Sequence, residues 1–213
     1  MKNQMIISIG RECGSGGHEV GELLAAHYGI KLYDRNLITE LAKELHEDAE
    51  KLAKREERVG GVMHTFIRRN GFAARQGEIG DKFTREDCLY LEEKGFIRRL
   101  AASESFVIVG RAANAILEGH PNALRLYLYA PESFKLPRVR AEYGLKSDEE
   151  ARKQMMKIDR ERKAYFEYYS NMIWGSSDGH DLMIDTSLLG IEETARQIEN
   201  IADIRFSCYQ KTA

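Results

Sequence analysis

Ile6-Ile7-Ser8-Ile9-Gly10-Arg11-Glu12-Cys13-Gly14-Ser15-Gly16-Gly17-His18-Glu19 decides how this chain is read. An apolar run of strand type enters a glycine-rich turn, and a helix opens behind it with apolar positions starting at Val20. Strand, glycine turn and helix in that order wrap backbone N–H groups around an anion and aim the helix N-terminus at it. Gly10, Gly14, Gly16 and Gly17 let the backbone approach a phosphate closely, with Ser15, His18 and Glu19 completing the candidate phosphate and nucleotide contacts. Glycines at such a turn also serve tight packing with no ligand. Four of them ahead of an amphipathic helix favour the anion site.

The stretch departs from the standard phosphate loop, G-x-x-x-x-G-K-[ST], whose lysine reaches the β- and γ-phosphates and whose hydroxyl meets Mg²⁺. Gly10 to Gly16 is one residue too long, and Gly17 and His18 stand where lysine and the hydroxyl should be. Taking Gly17 as the second glycine puts His18 and Glu19 in those places. Neither register restores the cation. Arg11 is the nearest residue that could supply positive charge, and His18 could donate to phosphate when charged. On this reading Gly16→Val is expected to remove triphosphate binding while the chain stays folded.

A chain of 213 residues fits one domain with a substantial core. Its net charge of −2 gives no basic field to draw it to nucleic acid or a membrane surface. Cys13, Cys88 and Cys208 are scattered, odd in number and without metal-ligand spacing, as expected of reduced thiols in a cytoplasm. No apolar run is long enough for a bilayer.

Strand and helix patterns alternate, which predicts a parallel sheet covered by helices. Val20, Leu23, Leu24 and Tyr28 mark one helix face, with Gly29 as its stop. A short strand, residues 30–33, leads to Asp34, a natural helix cap. A charged helix is expected over 47–58, and residues 60–80 carry no assignable pattern. A helix holding Leu89, Leu91, Phe96 and Leu100 precedes a buried strand, Phe106-Val107-Ile108-Val109. A strand over 124–129 ends before Pro131, and Pro137 should break or kink the next helix. A long helix spans about 147–169, with Ser147 and Glu150 spaced as a capping box. Residues 182–184 give the last strand and 191–206 the closing helix.

With these pieces in order, the chain resembles the cytidylate kinase-like group of P-loop nucleoside monophosphate kinases. The resemblance rests on the glycine loop, Tyr33-Asp34-Arg35, Val107-Ile108-Val109-Gly110-Arg111, the arginine-bearing segment 131–162, and Asp181-Leu182-Met183-Ile184-Asp185-Thr186-Ser187. It implies a three-layer α/β fold of P-loop kinase type over 1–213, a helical acceptor region at about 34–104 and a small lid at about 137–165. It further implies ATP and Mg²⁺ as cofactors and transfer of the γ-phosphoryl group to CMP or a related monophosphate. Two alternatives stay open: a kinase for another small acceptor, and a nucleotide-binding regulator without phosphotransfer.

Arg111 follows a buried strand and Gly110, so it belongs at the carboxyl edge of the sheet, where open α/β folds bind ligands. The resemblance makes it the acceptor-phosphate arginine, with Asp34 and Arg35 beside that pocket; Ala112 stands where an aspartate is common. It places Arg138, Arg140, Lys157 and Asp159 in the lid. Lys157 and Arg160 share a helix face, which an ordinary solvated helix also shows. Phosphoryl transfer needs cations on the moving group. With no loop lysine, the candidates are Arg11, Arg160 and Arg162. Asp185 could approach the donor base or only cap its turn. Trp174 and the tyrosines at 165, 168 and 169 are expected to pack rather than stack on a base.

Overall fold

The structure, a computed structural model, describes residues 4–34, 37, 40 and 85–207. Arg35, the charged helix expected over 47–58 and the stretch 60–80 lie outside the described residues.

The described elements run β1 (Ile6–Arg11), α1 (Gly17–Tyr28), β2 (Lys31–Tyr33), α2 (Arg85–Ser103), β3 (Phe106–Val109), α3 (Ala113–Ile116), β4 (Ala123–Tyr129), α4 (Glu132–Tyr143), α5 (Asp148–Ser170), a 3₁₀ turn (Ser177–Gly179), β5 (Leu182–Asp185) and α6 (Ile191–Arg205). The five strands are parallel in the order β2-β3-β1-β4-β5. Ile7 pairs with Val107 on one side and Leu124 on the other, so β1 lies at the centre. The order of connection reverses between β3 and β1. Ligands of open parallel sheets bind outside the carboxyl ends at such a reversal.

Side chains alternate along each strand, so each face builds its own core. Ile7 and Ile9, Val107 and Val109, and the leucines of β4 pack under α1 and α6. Ile6, Phe106 and Ile108 face α2, α3 and Phe166 of α5. Together these make the expected three-layer α/β arrangement. A smaller cluster joins Cys13 to Leu136 and Val139 of α4 and Ala151 and Met155 of α5, so the glycine loop is packed against these two helices. The tyrosines at 165 and 169 and Trp174 pack on the second core, as expected, whereas Tyr168 is exposed and lies outside it.

Gly29 ends α1 in the left-handed region at φ 65°, its N–H reaching the carbonyls of Ala25 and Ala26. The Ser147 hydroxyl caps α5 by accepting the Glu150 N–H at 3.2 Å. Glu150 reaches back to the Lys146 N–H at 2.9 Å, so the reciprocal half of the expected capping box lands one residue early. Ser147→Ala is expected to lower stability by about 1 kcal/mol in urea unfolding. Of the break or kink expected at Pro137, the break does not occur. Helical geometry runs through it from Glu132 to Tyr143.

Candidate functional site

The loop leaves β1 at Arg11 and enters α1 at Gly17, with Gly14 at φ 79° and Gly16 at φ 85°. No side chain among the described residues caps α1. Among the described residues, the N–H groups of Gly16, Gly17, His18 and Glu19 have no protein acceptor. These are the orphan donors of a helix start, and they carry its positive dipole end. The Cys13 N–H is engaged instead, donating to Asp159 Oδ1 at 2.7 Å.

Each loop glycine also has a reason inside the protein. A Cβ on Gly14 would lie 2.8 Å from Val139 Cγ2, and one on Gly16 would lie 2.0 Å from Ile191 Cδ1. Gly10 faces Tyr127, Asn114 and His180 beneath the loop. The glycines fit the loop onto α4, α6 and the sheet.

Outside the loop lies a cleft of about 870 Å³ between β1, the end of β2 and α4. Arg11, Arg138 and Arg162 line it together with His18, Glu12, Glu19, Asp34 and Glu142. The cations are met by carboxylates. Arg11 lies 3.6 Å from Asp34, and His18 Nδ1 lies 2.8 Å from the same carboxylate. Arg138 pairs with Glu19 and donates to the Gly14 carbonyl at 3.0 Å. Arg162 is 3.6 Å from Asp159, and Lys135 donates to Glu12 at 2.6 Å. An incoming phosphate would exchange with these carboxylates rather than meet bare charge.

The sequence profile of the cytidylate kinase-like family matches residues 6–188. The chain belongs to the cytidylate kinase-like family. It is 30% identical over 192 residues to the cytidylate kinase of Methanopyrus kandleri, covering 89% of each chain. An uncharacterised protein of Eubacterium ventriosum superposes with a TM-score of 0.70 at 29% identity, over 94% of this chain and 99% of that one. A gluconokinase of Sinorhizobium meliloti shares the fold with a TM-score of 0.50 at 15% identity, over 97% and 94% of the two chains. The family places the chain among nucleotide-binding kinases, which are phosphoryl transferases, and the fold is one that kinases share.

In this cytidylate kinase-like chain the expected residues divide. Arg11, Gly14, Gly16, Gly17, His18, Glu19, Asp34, Arg138 and Arg162 line the cleft, and Asp159 sits behind the loop. Ser15 is fully buried and donates to the Glu12 carbonyl. Arg140 points to Asp148 at 3.0 Å, and Lys157 and Arg160 are exposed on α5 away from the cleft lining. Asp185 accepts from the N–H and hydroxyl of Ser187, so its described contacts are those of a turn cap. Burial pushes the Cys13 thiol up to about 11, which keeps it an unreactive thiol beside the loop. Burial also raises the Asp159 carboxyl, and the Cys13 N–H and Arg162 pull it back.

Arg111 turns to Glu93 of α2, with Nη1 3.3 Å from Oε1. Glu93 is 2% exposed and also accepts from the Tyr165 hydroxyl of α5 at 2.8 Å. Sequence reading missed this carboxylate. Its signal was there, since Glu93 falls four residues after Leu89 and three before Phe96, on the apolar stripe of its helix.

A second missed group lies under Gly10. The Asn114 amide donates to the Leu126 carbonyl at 2.9 Å and meets His180 Nδ1 at 2.6 Å. With that amide nitrogen as donor, Nδ1 accepts and the ring proton sits on Nε2, which is buried with no partner. Burial, helped by nearby Arg125 and opposed by Asp181, lowers the His180 pKa to about 4. The unfolded chain binds this proton near pH 6.5 and the folded chain near 4, so between them the unfolded state holds more protons. The contribution is complete above pH 6.5 and is lost as pH falls toward 4, amounting to roughly 3 kcal/mol in full. Urea unfolding of the parent should weaken from pH 7 to pH 5, and His180→Gln should flatten that slope. An unchanged slope in the variant would assign the acid sensitivity to other groups.

Proposed function

We propose that this chain is a nucleoside monophosphate kinase, transferring the γ-phosphoryl group of ATP to CMP or a closely related monophosphate. The observation that carries the reading is the start of α1, where four unengaged N–H groups open onto a cleft holding Arg11 and Arg162. Backbone donors of this kind hold phosphate without reorganising, and arginines match its oxygens in pairs. The acceptor phosphate is already an oxyanion, so catalysis reduces to placement and charge stabilisation. CMP is favoured by kinship to the Methanopyrus kandleri cytidylate kinase. Arg111, held by Glu93, is proposed for the acceptor side. The proposed partners are small nucleotides in a cytoplasm rather than nucleic acid or lipid. Among the described residues no helix is long and apolar enough to cross a membrane.

The residues present suit Mg²⁺ carried by the nucleotide. Among the described residues no group of three His, Cys, Asp or Glu could hold an ion alone. Mg²⁺ at such sites ordinarily takes one or two carboxylates and completes its shell with phosphates and water. Glu12, Glu19, Asp34 and Glu142 line the cleft and are the available carboxylates among the described residues. The ion would supply neutralisation of phosphate charge.

The test is ADP formation with Mg²⁺ and ATP across a panel of nucleoside monophosphates. Turnover with CMP above the others supports the proposal, and turnover only with a non-nucleotide acceptor overturns it. The missing lysine and the carboxylate-paired cations favour a second reading, a regulator that binds nucleotide without transferring phosphate. ATP binding without turnover on any acceptor would select it.

A further inference from the structure

The place of the loop lysine is filled by another residue. A Cβ on Gly17 would lie 2.7 Å from both Cβ and Cγ of Arg11. A Cβ on Gly110 would lie 2.1 Å from Arg11 Nη1 and 3.1 Å from its Cζ. The Arg11 side chain therefore leaves the last residue of β1, crosses the first turn of α1 and ends over the turn that follows β3. There its guanidinium is 3.6 Å from Asp34, just beyond β2. Two glycines on different elements form one groove for one side chain.

Backbone geometry explains only one of them. Gly110 has φ 83°, which favours glycine by itself. Gly17 has no such strain, and glycine inside a helix costs up to about 1 kcal/mol relative to alanine. Its missing side chain is accounted for by the stem of Arg11. The guanidinium arrives where the sheet order reverses between β1 and β3, the point at which ligands of such sheets bind.

We infer that Arg11 is the phosphate-contacting cation that stands in for the loop lysine, and that Gly17 is a positioning residue that keeps its path open. This rests on the reading above that the loop holds a triphosphate. Lysine and arginine reach the same edge from opposite sides, one from the helix and one from the strand, and they exclude each other sterically. Loss of the lysine and gain of the arginine are then a single structural exchange. The arginine adds a forked donor, which binds two phosphate oxygens where an ammonium acts as a point charge.

The test is a double-mutant cycle read by calorimetric binding of inorganic tripolyphosphate, with turnover measured in parallel. Arg11→Ala should weaken binding roughly ten- to a hundredfold. Gly17→Ala should weaken it roughly tenfold while circular dichroism shows the fold retained. In an Arg11→Gly background, which also removes the Cβ that would lie 2.7 Å from the added methyl, Gly17→Ala should have no further effect. The double variant Arg11→Gly with Gly17→Lys should recover most of the affinity. Equal losses from Gly17→Ala in both backgrounds, or unchanged binding in Arg11→Ala, overturn the inference. Arg11-dependent tripolyphosphate binding without turnover on any monophosphate leaves it standing and removes the kinase reading. Full turnover in Arg11→Ala does the reverse. A parent that binds neither tripolyphosphate nor ATP removes both.

Discussion

Glu93→Ala is expected to lower stability by roughly 3–5 kcal/mol, because it removes one partner of a buried ion pair together with the acceptor of the Tyr165 hydroxyl. Glu93 joins three elements: its own helix α2, Arg111 after β3 and Tyr165 of α5. Arg111 and Ala112 are held at φ 58° and φ 51°, a left-handed pair that L residues adopt at a cost. The carboxylate helps keep that turn in place. Tyr165→Phe removes one hydrogen bond to Glu93 and should cost only about 1 kcal/mol. Glu93→Gln, similar in shape but uncharged, should fall between the two. Urea unfolding of the three variants gives the ranking. A loss below about 1 kcal/mol for Glu93→Ala would mean that Arg111 is already balanced by other groups.

Gly16→Val is expected to destabilise the protein by roughly 3 kcal/mol or more, from overpacking and backbone strain acting together. The new Cβ would meet Ile191 Cδ1 at 2.0 Å, and the residue would have to sit at φ 85°. The expected loss of triphosphate binding in this variant is therefore joined by an expected loss of stability. Gly16 is where α1 meets α6, and any loss of binding would carry a structural component. Adding Ile191→Ala should relieve the collision and leave the strain, so the double variant should melt above Gly16→Val and below the parent. A parent-like melting temperature for Gly16→Val would refute both effects.

The sheet was legible because buried parallel strands leave continuous apolar runs, as in Phe106 to Val109, and because glycines bracket the helices they end. The loop was legible for the same local reason. What eluded sequence reading depends on contacts between distant positions. Nothing local tells that Gly17 is small because of Arg11, that Asp159 seeks the Cys13 N–H, or that Asn114 meets His180 across 66 residues. The arginines of α4 and α5 show the limit most clearly. Arg138, Arg140, Arg160 and Arg162 look alike in sequence, yet two line the cleft and two do not. Helix rotation relative to the loop separates them, and the spacing of charges alone does not encode it.

The bond from Cys13 N–H to Asp159 ties the glycine loop to α5 and gives that contact a clock. The amide exchanges its hydrogen with solvent when the contact between α5 and the loop opens, so its exchange rate measures how often they part. One resonance, from residue 13, would then report the opening equilibrium with and without nucleotide, and Asp159→Asn would set its fast limit. Slower exchange in the presence of nucleotide would mean that the ligand holds α5 against the loop, and faster exchange that it must separate them to enter.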